Sequence, residues 1–103
     1  MHLKIYNTES RKKEEVVPLD DKTIHMYTCG PTIYHYAHIG NFRAYVAEDL
    51  LRRSLKFLGY QIIQAMNITD IDDKTIKAAI AQKVSLHEYT RPYEEAFFED
   101  LHS

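Results

Sequence analysis

The sequence predicts an α/β fold with a parallel strand pair. Two observations carry that reading. Thr23–Thr28 and Tyr60–Ile68 are short runs rich in β-branched, aromatic and other apolar residues, as strands are. Between them, Phe42–Leu58 repeats apolar residues at helical spacing, at Ala44, Ala47, Leu51, Leu55 and Leu58. Strand, long helix, strand makes a right-handed crossover, which leaves the two strands parallel.

Taken in order, Leu3, Ile5 and Tyr6 predict a short strand, with Asn7 and Thr8 as turn formers. Arg11–Glu15 is a charge run and reads as a solvated surface loop. Val16–Pro18 is a short extended piece, since Pro18 argues against a central strand. Asp20 and Asp21 turn the chain into Thr23–Thr28, read as a buried strand. In the helix, Tyr45, Val46 and Leu50 widen the apolar face, as expected for a helix lying on a sheet. Gly59 is placed to be the left-handed residue past its end. Arg52, Arg53 and Lys56 lie toward its C-terminal turns, where they complement the dipole on a solvated face; RNA contact is the alternative. The second strand is apolar at Tyr60, Ile62, Met66 and Ile68. Thr69 and Asp70 turn into a helix from about Asp72 to Gln82, with Ile76 and Ile80 as its buried stripe. Ser85 to Glu88 matches a capping box and opens a last helix with Leu86, Tyr89, Tyr93, Phe97 and Leu101 on its apolar face. Pro92 is expected to kink or restart that helix.

At 103 residues the chain has room for one small domain. A formal charge of −2 gives no global pull toward nucleic acid, so any RNA contact must come from a local patch. One cysteine excludes an intramolecular disulfide and fits a reducing compartment. No apolar run approaches the roughly 20 residues of a membrane span. The start, Met1-His2-Leu3-Lys4, has no signal-peptide core. A soluble, cytoplasmic protein without a membrane partner is expected.

The stretch Tyr27–Asn41 joins the first strand to the long helix and gathers the chemistry. A helix start offers unpaired N–H groups, and in open α/β sheets ligands sit outside the carboxyl ends of the strands. Gly30 and Gly40 remove side chains where a ligand would approach the backbone. Cys29 fits three roles: a zinc ligand, a nucleophile with His35 or His38 as its base, or a buried small hydrophobe. A local metal site of Cys29, His35 and His38 is a further alternative. Thr32 and Thr69 follow the two strands and suit turns or caps as well as a pocket. Asp70, Asp72 and Asp73 read as cap and dipole partners ahead of metal ligands.

His38-Ile39-Gly40-Asn41 resembles the His-Ile-Gly-His signature of class I aminoacyl-tRNA synthetases, with Asn last. Cys29-Gly30-Pro31-Thr32, the block Asn67–Lys74, the opening Leu3–Thr8 and Arg11–Glu15 are similar to the cysteinyl-tRNA synthetase family in particular. The resemblance implies the N-terminal half of a Rossmann-like nucleotide-binding domain. On that basis residues 1–103 are the first part of the catalytic domain of a larger enzyme or a truncated piece of one. They stop short of a Lys-Met-Ser-Lys-Ser-type loop and of an anticodon-binding region. The implied activity of the full-length parent is ATP-dependent conversion of L-cysteine to cysteinyl-adenylate and transfer to the 3′ end of tRNA(Cys). The isolated chain is expected to be inactive.

The resemblance also implies roles. His38 and Asn41 are catalytic and, with Gly40, hold ATP, which brings Mg2+; Gly30, Thr32 and Thr69 hold cysteine. Cys29 is one ligand of a zinc ion whose other ligands, a Cys, a His and a Glu, lie beyond this chain. Asn41 can donate through its amide but cannot carry a proton. Zinc has a physical reason, because a plain pocket separates close isosteres by only about 100-fold, and zinc prefers a thiolate to a hydroxyl. His35 is given no role. The alternatives are the cysteine ligase of mycothiol biosynthesis and a catalytically inactive nucleotide-binding fragment. The opening and the Asn67–Lys74 block favour the tRNA enzyme over the first.

Overall fold

The computed structural model describes residues 2–103; Met1, which heads the N-terminal stretch read above, lies outside them. The order of elements is β1 (Lys4–Asn7), β2 (Lys12–Glu15), β3 (Thr23–Thr28), α1 (Ile39–Phe57), β4 (Gln61–Met66), α2 (Asp73–Gln82) and α3 (Leu86–His102). The chain divides into two compact units. One holds the residues up to Tyr27 with Val46–Ala65, the other Thr28–Tyr45 with Met66–Ser103.

In the first unit β1 and β2 form an antiparallel hairpin, with Lys4 opposite Glu15 and Asn7 opposite Lys12. The charge run is therefore a strand where a loop was expected. Its side chains do remain exposed, and a two-stranded ribbon wet on both faces tolerates charge at every position. Hydrogen bonds from Ser10 and Asn7 hold the Glu14 carboxyl below the usual carboxylate range. β3 and β4 pair as a two-stranded parallel sheet, as the crossover required. β3 is half-exposed and not buried: Tyr27 keeps 73% of its surface in solvent, because only alternate side chains reach the covered face. β4 alternates in the same way, with Ile62, Gln64 and Met66 inward and Ile63 outward. Gly59 sits at φ 96°, the left-handed turn expected of it.

α1 begins at Ile39, so Gly40 and Asn41 are helical and not part of the loop. Its covered stripe runs through Tyr45, Glu48, Leu51, Leu55 and Leu58. Ala44, Val46, Ala47 and Leu50, expected on the apolar face, are exposed. Helical spacing fixes the period but leaves the phase open. Arg53 pairs with Asp49 at 2.6 Å on the solvated face.

The second unit carries α2 and α3. Asp72 caps α2 by accepting from Lys74 N–H at 2.9 Å, and its own N–H donates to Thr75 Oγ1 at 2.9 Å. Thr75 and Ala79 are the buried residues of α2, while Ile76 and Ile80 are 41% and 70% exposed. The helix is turned by one residue from the expected phase. Thr75 can face inward because its hydroxyl donates to Asp72 C=O at 2.9 Å. Ser85 and Glu88 close the capping box of α3 with two 3.2 Å bonds. α3 runs unbroken through Pro92, where a restart was one expectation. The loss of one ladder bond is outweighed by the cap and by aromatic packing on both sides of the proline. Tyr89 and Phe97 are buried and Tyr93 half-buried as expected; Leu101 is exposed. Ile33, Tyr45 and Phe97 form the centre of this core, and Phe42, Tyr45 and Phe97 meet ring to ring at 5.4–6.1 Å.

Candidate functional site

The loop after β3 is sewn to the loop after β4. Ile33 N–H donates to Thr69 C=O at 3.0 Å, and Thr69 N–H donates to Pro31 C=O at 2.9 Å. Thr32 and Thr69 face one another in a parallel bridge. Asn67 closes the seam with its side chain. Its Oδ1 accepts from Gly30 N–H at 2.9 Å, and its Nδ2 donates to Thr69 Oγ1 at 3.2 Å. Thr32 and Thr69, far apart in sequence, thus share one backbone bridge, and the Asn67 side chain ties Gly30 to it.

Gly30 is glycine for a packing reason. A Cβ there would lie 1.9 Å from Asn67 O and 2.8 Å from Met66 Cγ. The space expected to admit a ligand is filled by the Asn67 backbone.

His38 is the N-cap of α1. Its carbonyl accepts from Asn41 N–H at 2.9 Å and from Phe42 N–H at 3.1 Å. Its own N–H donates to Asn41 Oδ1 at 3.0 Å, and its imidazole Nδ1 accepts from Asn41 N–H at 3.3 Å. These are the reciprocal contacts of a capping box, made by an unusual residue pair. The ring lies across Gly40, where an added Cβ would stand 3.0 Å from both Cε1 and Nδ1. Gly40 clears space for the imidazole of its own chain.

The run Gly30–His38 borders a cavity of about 480 Å3 that Asn41, Tyr45, Lys74 and Phe97 complete. Its floor is rigid. Tyr89 donates its hydroxyl to Tyr34 C=O at 2.5 Å, and burial, then the neighbouring Tyr93, pushes that hydroxyl above the ordinary tyrosine range. His35 stacks on Tyr93 at 5.7 Å and its Nδ1 accepts from Tyr36 N–H at 2.8 Å, so its ring holds the loop's fold. Lys74 brings the cavity a positive charge, its Nζ 5.0 Å from the centre of the Tyr34 ring.

The structure brings His38, Gly30, Thr32 and Asn41 to this cavity; Cys29 and Thr69 are not among its lining residues. Cys29 is exposed, which overturns the reading as a buried hydrophobe. Its thiol donates to the carbonyl of Gly30 at 3.7 Å. Among the described residues no three His, Cys, Asp or Glu side chains gather as metal ligands, so the local Cys29–His35–His38 site is not formed. The described residues offer zinc one soft donor and do not complete a four-donor site. Two residues of the site, Asn67 and Lys74, were read only as the ends of the family-like block Asn67–Lys74, without roles of their own. Lys74 carried a further signal, a cation in the first turn of a helix, where the dipole disfavours it.

A family model described as tRNA synthetases class I (C) catalytic domain matches residues 15–103. Proteins named cysteine--tRNA ligase are similar to the chain. That of Protochlamydia amoebophila (strain UWE25) is 61% identical over 99 residues, which cover 96% of this chain and 21% of the relative. That of Chlamydia pneumoniae is 58% identical with the same coverage. That of Solibacter usitatus (strain Ellin6076) is 55% identical over 100 residues, covering 97% of this chain and 22% of the relative. The chain thus spans about a fifth of the length of the curated relatives it matches. No helix of the described residues is long and apolar enough to cross a membrane.

Proposed function

The chain belongs to the class I (C) tRNA synthetase catalytic-domain family, and on that premise we propose that it is the first part of a cysteine--tRNA ligase catalytic domain. The whole protein would join L-cysteine to ATP as cysteinyl-adenylate, releasing pyrophosphate, and pass the cysteinyl group to the 3′ end of tRNA(Cys). The reaction is attack of the cysteine carboxylate on the α-phosphate. The carrying observation is the cavity that His38, Asn41 and Lys74 share with the Gly30–Thr32 loop. Donors beside a cation suit charge that develops on phosphate oxygens.

Within that reading, His38 donates to the phosphates, Asn41 borders the ATP end of the cavity with Gly40 behind it in the same helical turn, and Gly30 and Thr32 border the amino-acid end with Thr69 behind them on the seam. The seam supports the last grouping, since it ties Thr69 to Gly30 and Pro31. Mg2+ would accompany ATP. Cys29 would give zinc one thiolate, the remaining donors coming from outside these residues; bound there, zinc favours a thiol over a hydroxyl. The cytoplasm is the proposed location.

His38→Ala in the protein of full length tests the assignment. Loss of one donor aimed at developing charge is expected to slow adenylate formation about 100- to 1000-fold. Michaelis constants should hold nearly steady, as for a contact made only in the transition state. Pre-steady-state adenylate formation, run beside a thermal melt, reads both. Near-normal turnover with a lowered melting point would make His38 a packing residue and reject the assignment.

A further inference from the structure

Resting on the reading of His38 as a phosphate donor, we infer that Asn41 works through His38 as a positioning residue. It holds the imidazole in the tautomer whose Nε2 carries the hydrogen and presents that N–H to the cavity. The geometry comes from one helical turn. An imidazole nitrogen that accepts a hydrogen bond carries no hydrogen in the neutral ring. His38 Nδ1 accepts from Asn41 N–H at 3.3 Å, so the hydrogen resides on Nε2. The Asn41 side chain secures the other end of the residue, accepting His38 N–H at 3.0 Å. With both ends tied, the ring has one seat, across Gly40, where a methyl group would meet Cε1 and Nδ1 at 3.0 Å. His38 and Asn41 both border the cavity.

This gives the fourth position of the motif a specific task. The contact needs an acceptor three residues after the cap, short enough to reach back to a backbone N–H. Asn supplies it with Oδ1 and keeps no charge beside the phosphates. The Asn41 amide nitrogen need not touch ATP for the residue to matter.

The test reads the ring nitrogens directly. Long-range 1H–15N spectra of the chain with 15N-labelled histidine, above the histidine titration range, distinguish the two tautomers. His38→Gln assigns the His38 signals. His38 is expected to show a protonated Nε2 and an unprotonated Nδ1. Asn41→Ala keeps the backbone N–H that Nδ1 accepts but frees the His38 backbone from Oδ1, so it should let the ring leave that N–H and move the signals toward a mixture of tautomers. Gly40→Ala should displace the ring with the same effect, and Asn41→Asp, which keeps the acceptor, should restore the original pattern. His35 is the internal control. Its Nδ1 is held by Tyr36 N–H at 2.8 Å, so its signals should stay fixed in every variant. A protonated Nδ1 on His38, or a pattern unmoved by Asn41→Ala, would overturn the inference. The spectra contain no ATP, cysteine or tRNA, so their failure leaves the proposed reaction standing, and an inactive His38 leaves the tautomer result intact.

Discussion

Gly30→Ala puts a methyl group where the loop after β4 already is. The new Cβ would stand 1.9 Å from Asn67 O, 2.8 Å from Met66 Cγ and 3.1 Å from Asn67 C. Real Cβ contacts essentially never fall under 3.0 Å, so the two backbones must part by about 1 Å. The nearest atom is a carbonyl oxygen, which no rotamer change can move. Overpacking of this kind costs about 1–3 kcal/mol. The separation also stretches the 2.9 Å bond from Gly30 N–H to Asn67 Oδ1 past bonding length, for about 1 kcal/mol more. A loss of about 2–4 kcal/mol follows, large against the roughly 5–15 kcal/mol that holds a domain. Gly59→Ala is the control. Its Cβ would meet nothing within 4 Å, so only the strain of φ 96° applies, about 1–2 kcal/mol. Urea unfolding of both variants should show the larger loss for Gly30. Pyrophosphate exchange in the full-length protein should fall sharply for Gly30→Ala even after correction for the folded fraction, and be retained for Gly59→Ala. Equal destabilisation with full activity in both would mean that the seam between the two loops does not shape the site.

Two further predictions rest on Cys29 and on the chain by itself. Cys29→Ser in the full-length protein should lower zinc content and raise the Michaelis constant for cysteine more than that for ATP; metal analysis beside pyrophosphate exchange reads both, and unchanged values would leave Cys29 with no part in the site. The 103-residue chain alone should show no cysteine-dependent pyrophosphate exchange, because it spans only about a fifth of the length of the relatives it matches; measurable exchange would show that the cavity around His38 suffices.

The crossover was legible because β3, α1 and β4 each state their type in composition and period. Thr23–Thr28 is recovered to the residue, and the capping boxes of α2 and α3 obey local rules. Local chemistry also told that Gly59 ends the helix. What sequence could not tell was phase. In α1 the apolar residues Val46 and Leu50 are exposed, and the covered stripe takes in Glu48 instead. In α2 the isoleucines lie outward and Thr75 inward. A period is a property of one helix, whereas the phase is set by what lies against it. The β1–β2 hairpin was missed for a related reason. Its second strand is uniformly charged, so it has no alternation to read, and only the pairing with β1 makes it a strand.

The same distinction separates the parts of the site. The motif residues announced themselves by type, but their partners did not. Gly40 reads as an opening for a ligand until the His38 ring is found lying over it, and Gly30 reads likewise until Asn67 fills the space. Each glycine is explained by a neighbour of its own chain, one two residues away and the other 37 residues away. The first could have been anticipated, since a cap residue and the third helical position always face one another. The second could not, because the parallel pairing of β3 with β4 was legible but the register that sets Asn67 beside Gly30 was not. The candidate site is therefore tied to topology at Asn67. Asn67→Ala leaves the His38–Asn41 signature in place and still removes a side chain that links Gly30 to Thr69. The seam between the two loops depends on that asparagine as the cap of α1 depends on His38.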